Sequence, residues 1–267
     1  LKQPAVQGGS KRRSLAVRRP PIRTARKRKF LAMQEEEKAV VLAYVAERAE
    51  RFDEMAEFMK DRVKKGGALS AEERDLLSAA YKGAITGRRH AVRVAYSVEQ
   101  HEAADGSKHT AELAEGYRAK VEAELQKICD DAIKLLKGDL VPKSETGEPK
   151  VFYLKMLGDY CRYTAEFAQG DARSKVTEEA REAYGAATEE AEKHLFTTHP
   201  VRLGLALNFS VFLHEVLGNT SAAVETAQAA YKSAAADIES MPEEAYRDAA
   251  LSLQLLQDNL SLWMPKD

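Results

Sequence analysis

Cysteine is scarce in this 267-residue chain. Its two copies, Cys129 and Cys161, lie far apart and form neither a CxxC pair nor a zinc spacing. Reduced thiols of a cytosolic protein are expected, not a disulfide framework. Proline is missing between Ile22 and Val141, a stretch that permits long helices. Aromatic residues make up only 7% of the chain while charged residues reach 31% and alanine is abundant. That balance favours helices with solvated outer faces over sheet. No run of about 18 apolar residues occurs, which excludes a transmembrane helix. The chain also has no P-loop, G-x-S-x-G, HExxH or dinucleotide glycine fingerprint. Its six histidines show no metal-ligand spacing, and His90, beside Arg89, reads as a surface histidine. Catalysis, a cofactor and a bound metal are therefore not expected.

Acid is absent from the first 29 residues, which hold eleven Lys and Arg; against a net charge of −1 overall, the rest of the chain carries −12. This basic stretch is rich in Gly, Pro and Arg and has no apolar periodicity. Residues 1–33 are expected to form a disordered basic extension. It resembles an organelle transit peptide in its Arg content and a nuclear-localisation patch in its RKRK run, neither pattern being specific. Lys11-Arg12-Arg13-Ser14 resembles a basophilic-kinase site.

Beyond this stretch the pattern is helical. With 44% hydrophobic residues the chain can bury a large core, enough for one large domain or two small ones. Apolar residues recur at three- and four-residue intervals from Gln34, with an interruption near Ala49–Asp53 and an end at Lys64-Lys65-Gly66-Gly67. Ser70 and Glu73 form a capping box that opens a long helix to about Val98. A second long helix is expected over Lys108–Leu136, and then a break over Gly138–Pro149. The next helices are expected near Lys150–Ala168, Ser174–Leu195, Val201–Leu217, Ser221–Ile238 and Glu243–Trp263. Gly170-Asp171, His199-Pro200 and Gly218-Asn219-Thr220 separate them, and Ser240 with Glu243 forms a further capping box. The expected fold class is all-α, about nine antiparallel helices in a layered bundle or a solenoid of helix pairs, the lack of a strict repeat counting against a tandem array.

Three segments depart from ordinary amphipathic design. Lys82 and Arg89 sit two helical turns apart and share one face with Ser78 and Ile85. Lys155, Asp159, Arg162 and Glu166 form one polar stripe with Tyr163 beside it. Taken singly, such stripes are usually solvated faces with i,i+4 and i,i+3 pairs. Asn208 and Glu215 interrupt an otherwise apolar helix, and Asn259 does the same in LSLQLLQDNLSLW. A buried amide without a hydrogen-bond partner costs about 1–3 kcal/mol. Two cationic stripes and two such amides suggest a groove with a basic wall opposite an amide-bearing apolar wall.

The strings EERDLLSAAYKG, KVFYLKMLGDYCRYTAE, RLGLALNFSVF and LQLLQDNLSLW resemble 14-3-3 proteins, and the likeness runs from about Val40 to Trp263. It implies a single 14-3-3 domain over residues 34–267, with nine antiparallel helices per subunit, and a cup-shaped dimer with one amphipathic groove in each half. It implies a phosphate clamp of Lys82, Arg89 and Arg162 with the Tyr163 hydroxyl. Lys155 is then a further basic position and Asp159 the group that orients the guanidiniums. Asn208 and Asn259 match amides that bond the ligand main chain, and Glu215 matches a groove acid. Leu207, Val211, Leu255, Leu262 and Trp263 match the apolar wall, and Gly204 a position where a side chain would narrow the groove.

The resemblance also implies a dimer interface. Val45 and Ala49 would pack on Ala91, Ala95 and Tyr117 of the other subunit, with Arg51–Glu124 and Glu54–Lys120 as intersubunit ion pairs. Such pairs contribute about 0–1 kcal/mol each and set register more than strength. Expected partners are phosphorylated client proteins and a second subunit, of this chain or of another 14-3-3 protein; neither nucleic acid nor membrane insertion is expected. A phosphorylation-independent helical scaffold is the alternative. The chain departs from the family pattern at Ser252, in place of an apolar wall residue, at Asp75, in place of Asn, and at Val92, in place of Trp. Ala91 stands where some members carry a regulatory serine, and the usual acidic C-terminal tail does not follow Trp263.

Overall fold

The computed structural model describes residues 36–237 and 243–264, the side chains of 243–248 excepted. The expected extension over residues 1–33, its Ser14 and the capping residue Ser240 lie outside them. Nine helices of thirteen residues or more occur among the described residues, and no strand. α1 covers residues 36–48, α2 Phe52–Lys64, α3 Ala71–Ala104 and α4 Lys108–Leu135. α5 covers Glu148–Ala165, α6 Gly170–His194, α7 Pro200–Glu215, α8 Thr220–Asp237 and α9 Glu243–Trp263. Successive helices pack on one another, α2 on α3, α3 on α4, α5 on α6 and α7 on α8. α5 also meets α4 and α7, and α9 rests on α7 and α8.

The capping box predicted at Ser70 is formed. Glu73 N–H donates to Ser70 Oγ at 3.2 Å, and Ser70 N–H donates to Glu73 Oε2 at 2.8 Å. Glu73 also anchors the preceding helix, because the buried Arg62 donates to it from Nε at 2.6 Å and to Gly66 O from Nη1 at 2.9 Å. Satisfied donors at a helix start and cations at the end of the helix before it are the arrangement the helix dipoles favour.

Three boundaries differ from those the sequence predicts. α3 runs to Ala104 instead of Val98, because no breaker intervenes before Gly106, whose φ is +81°, and Arg118 of α4 holds Glu99 at 2.7 Å. The break predicted over Gly138–Pro149 shrinks to residues 144–147. Leu136–Leu140 forms a π-helical turn and Val141–Lys143 a further helical turn, with Pro142 in its first turn. There the missing N–H of proline would have no helical partner anyway. The break expected at Gly170-Asp171 falls at residues 166–169, and Gly170 opens α6.

Alanine serves as more than a helix former. Ala180, Ala183, Ala187 and Ala191 of α6 and Ala223, Ala227 and Ala234 of α8 are all buried and let neighbouring helices approach closely. One large core runs through the array around Tyr81, Tyr160, Tyr184 and Phe212. A smaller one joins Leu203 to Ala227, Leu253, Leu256 and Leu260, and Trp263 packs against both. The two cysteines are free and wholly buried, and burial pushes both thiols up to about 12. They are protonated and unreactive at neutral pH. Among the described residues no helix is long and apolar enough to cross a membrane.

The approach of α2 to α3 depends on one missing methyl group. A Cβ on Gly83 would lie 2.3 Å from Cγ and Cδ1 of the Phe52 ring. Gly83→Ala is therefore expected to destabilise the fold by about 1–3 kcal/mol, as overpacking does. Urea unfolding checks this, and an unchanged midpoint would show that the Phe52 ring moves aside freely.

Candidate functional site

The polar stripe of α5 is the starting point. The 3.6-residue repeat stacks Lys155, Asp159, Arg162 and Glu166 on one face, as predicted, but the face is not solvated. Asp159 and Arg162 are each only 7% exposed. A buried charge is tolerated when it is paired and hydrogen-bonded, and Asp159 is surrounded by donors. Lys155 Nζ donates to its Oδ2 at 2.9 Å. The Tyr184 hydroxyl of α6 donates to its Oδ1 at 2.6 Å, and Asn208 Nδ2 of α7 donates to the same oxygen at 2.8 Å. Burial alone would push this carboxyl up; Lys155, Arg162 and the Tyr184 hydroxyl outweigh it and hold Asp159 below the usual carboxylate value. One carboxylate thus joins α5, α6 and α7.

Arg162 lies beside this group. Its Nη2 is 3.9 Å from Asp159 Oδ1, its Nη1 is 3.6 Å from Glu166 Oε1, and its Nε donates to the Tyr184 oxygen at 3.4 Å. Burial opposes its charge, but Tyr184, Asp159 and Tyr163 more than compensate, so the guanidinium stays protonated. Arg89 reaches across from α3 and grips Glu166 with two nitrogens, Nε at 3.1 Å from Oε2. The Tyr163 ring lies against both guanidiniums, with Arg89 4.2 Å and Arg162 4.5 Å from its centre, within cation–π range. Burial is the main cause that raises the Tyr163 phenol, which stays a hydrogen-bond donor at neutral pH. Lys82, two turns before Arg89, is exposed and has no ion-pair partner among the described residues.

Three cations, Arg89, Lys155 and Arg162, therefore stand against two carboxylates, Asp159 and Glu166, and these five groups keep an excess of one positive charge, with Lys82 two turns before Arg89 on α3. The apolar side continues from it. A Cβ on Gly204 of α7 would meet Lys155 Cε at 3.7 Å, an ordinary van der Waals contact, so Gly204 borders the basic side without being required for the approach of α7. Leu207 and Val211 are half-buried on α7, and Trp263 stacks on His214 at 4.8 Å between ring centres. On α9, Leu255 and Leu262 are exposed, while Ser252 and Asn259 are half-buried. Glu215, at the end of α7, is exposed without an ion-pair partner among the described residues. Direct contacts thus join Arg89, Lys155, Asp159, Arg162, Tyr163 and Asn208; Lys82, Glu215, Asn259, Leu255 and Leu262 lie outside those bonds.

A family model described as "14-3-3 protein" matches residues 42–264. The chain belongs to the 14-3-3 family. Protein BMH2 of Saccharomyces cerevisiae is 50% identical over 231 residues, which cover 86% of this chain and 85% of that protein. The 14-3-3 family protein artA of Aspergillus flavus is 49% identical over 227 residues, 85% of this chain and 95% of the relative. 14-3-3 protein 7 of Solanum lycopersicum is 48% identical over 230 residues, 86% and 91% of the two chains. The helical fold is that of the family, and with it comes the family's role: a regulatory adaptor without enzymatic activity.

The face expected to meet a second subunit is apolar in this 14-3-3 chain. Val45 is 59% exposed and Tyr117 56%, and Ala49 is exposed as well. Ala91, Ala95 and Tyr117 line a cavity of about 480 Å³ between α3 and α4 together with Val94, Val98 and Leu113. The charged positions are paired within the single chain: Arg51 with Glu54, and Glu124 with Arg88 at 3.3 Å. Lys120 is exposed.

Sequence reasoning missed Tyr184 and Gly158. Tyr184 reads as a lone aromatic in the alanine- and glutamate-rich α6, and its hydroxyl lies 25 positions from Asp159 in sequence. A Cβ on Gly158 would come within 2.7 Å of the Tyr184 ring, so the glycine is what admits that ring to the carboxylate.

Replacing Asp159 with Asn leaves Arg162 a buried cation with Glu166 as its remaining carboxylate. The expected loss of stability at neutral pH is about 3 kcal/mol, the low end for breaking a buried pair. Because Asp159 is held below its ordinary value of 3.8, its contribution is complete above that pH and fades as pH falls through the folded-state value. Urea unfolding of both proteins at neutral pH and near pH 3 tests this. A gap that stays constant with pH would place its origin outside the charge.

Proposed function

We propose that the protein binds phosphoserine or phosphothreonine segments of client proteins in the groove between α3, α5, α7 and α9. The observation that carries this reading is the cluster in which Arg89, Lys155 and Arg162 meet two carboxylates, Asp159 and Glu166, beside the Tyr163 hydroxyl; Lys82, on the same face of α3 as Arg89, would bring the excess to two positive charges. A phosphate monoester carries about −1.5 to −2 near neutrality, so the cluster matches the charge of one phosphoryl group. The guanidiniums offer paired planar donors to its oxygens, and the Tyr163 hydroxyl adds a neutral one. Asn208 gives its Nδ2 to Asp159 and keeps its carbonyl oxygen for a main-chain N–H of the ligand. That contact accepts any residue type, which suits an adaptor with many clients, and Asn259 supplies a second amide farther along. The exposed Leu255 and Leu262 give the groove an apolar wall for the rest of the segment. The acidic body does not repel the ligand, since its charges are dispersed and screened beyond about 8 Å at physiological salt.

Calorimetric titration with one peptide in phosphorylated and unphosphorylated form tests the reading. The phosphorylated form is expected to bind at least about 30-fold more tightly, about 2 kcal/mol, the scale of a charge-assisted hydrogen bond. Lys82→Glu, at an exposed and unpaired site, should remove most of that preference without changing the helical circular-dichroism signal. Equal affinities for the two peptides would sink the proposal in favour of a phosphorylation-independent scaffold.

The adaptor acts as a dimer in this reading. The exposed Val41, Tyr44 and Val45 of α1 fit the apolar cavity between α3 and α4 of a partner, reciprocally about a two-fold axis. Arg51 would then exchange its local partner Glu54 for Glu124 of the other protomer, and Glu54 would meet Lys120. Two grooves per particle raise avidity for doubly phosphorylated clients. Val45→Glu is expected to convert the dimer to a monomer in sedimentation equilibrium at micromolar concentration. A wild-type protein that already sediments as a monomer would remove this part of the proposal.

A further inference from the structure

We propose that Tyr184, a residue of α6 behind the groove, is a positioning residue that holds both the phosphate cation Arg162 and the main-chain amide Asn208 in their working geometry. The proposal rests on the phosphopeptide reading above.

The ring has one place to be. It is fully buried, stacked on Phe209 at 5.4 Å and tilted against Phe212 at 5.5 Å, both from α7. Gly158 on the other side leaves no room for even a methyl group. The hydroxyl is therefore delivered to a fixed point, and its polarity is fixed as well. An ionised carboxylate only accepts and a guanidinium only donates. The hydroxyl must give its proton to Asp159 Oδ1, at 2.6 Å, and receive Arg162 Nε on its lone pair, at 3.4 Å. Burial and the neighbouring Asp159 keep this phenol far above its ordinary value, so the proton stays in place.

This wedge acts on two ligand-facing groups. Arg162 Nη2 stands 3.9 Å from Asp159 Oδ1, beyond the 2.7–2.9 Å or so of a formed charge-assisted bond. With the hydroxyl in the way, the guanidinium cannot collapse onto the carboxylate and keeps its charge directed at the groove. The other group is Asn208. Its Nδ2 shares Asp159 Oδ1 with the hydroxyl, so the amide is oriented by the same oxygen and its carbonyl is left to the ligand. A side chain that never touches the ligand thereby couples the phosphate half of the groove to the main-chain half.

The test is a double-mutant cycle read by phosphopeptide affinity in wild type, Tyr184→Phe, Arg162→Lys and the double variant. Tyr184→Phe should weaken binding at least about tenfold in the wild-type background and no more than about twofold beside Arg162→Lys. A purely structural tyrosine would weaken binding equally in both backgrounds, and that result would overturn the proposal, as would an undiminished affinity. If wild type fails to distinguish the phosphorylated peptide from the unphosphorylated one, it is the phosphopeptide reading that falls.

Should Tyr184→Phe not fold, wild type decides in a titration with inorganic phosphate followed by 1H–15N spectra. The Arg162 Nε–H and Asn208 side-chain amide resonances are expected to move together with one dissociation constant. An Asn208 amide that stays still while Arg162 moves would refute the coupling.

Discussion

The burial of Asp159 is the constraint on which the rest of the site depends. A carboxylate with 7% exposure would neutralise itself or unfold its surroundings if left alone. Here it is instead the common acceptor for α5 through Lys155, α6 through Tyr184 and α7 through Asn208. Each donor satisfies the carboxylate and is in turn fixed by it, so three helices that pack through small apolar contacts acquire a defined register at the groove. Alanine faces allow helices to slide at little cost in packing; a shared carboxylate does not allow it, because each donor would lose a charged bond. The local arrangement of the functional side chains and the stability of the helix crossing are thus one problem with one solution.

The second carboxylate plays a different part. Glu166 is gripped by Arg89 from α3 and lies 3.6 Å from Arg162 on its own helix. It sits nearer the solvent than Asp159 and holds α3 against α5 across what would otherwise be a repulsive gap between two guanidiniums. The Tyr163 ring lies against both of them, so the two guanidiniums are held in place by their neighbours. In the phosphopeptide reading such preorganisation would lower the cost of binding, since little side-chain freedom would be left to lose. Lys82 is the exception. Exposed and without an ion-pair partner among the described residues, it retains its rotamers and would contribute charge more than geometry.

Much of this was legible in the residues, for identifiable reasons. Helix positions are set by local signals, such as the capping box at Ser70 and the glycines after Lys64, which act over a few residues and need no tertiary context. The shared helix faces of Lys82 with Arg89, and of Lys155 with Asp159 and Arg162, were legible because these residues are spaced by helical turns on single helices; a phosphate clamp built from them belongs to the proposed function. What the pattern could not show is burial: a charged stripe looks the same whether it faces water or a neighbouring helix. Tyr184 was invisible for the related reason that its partner lies on another helix. The overlong break predicted at Gly138–Pro149 reflects a third limit, since a π-helical turn and a first-turn proline accommodate residues that usually end helices.

The proposed groove would have the same physical origin as the buried carboxylate, the cost of desolvating charge. In a closed bundle every helix would bury its apolar stripe against a partner, and α9 could pack across onto α3. Packing of that kind would desolvate the cations of α3 against the apolar residues of α9. Burying a cation against hydrocarbon costs more than burying two leucines returns. α9 instead satisfies its inner face on the small core around Leu203, Leu256 and Leu260 and leaves Leu255 and Leu262 exposed. Trp263 packs against both cores and fixes the angle at which that wall stands. In the phosphopeptide reading, this unlike pair of walls, one charged and one apolar, would keep the groove from closing on itself and suit a ligand that is charged at one point and apolar beside it.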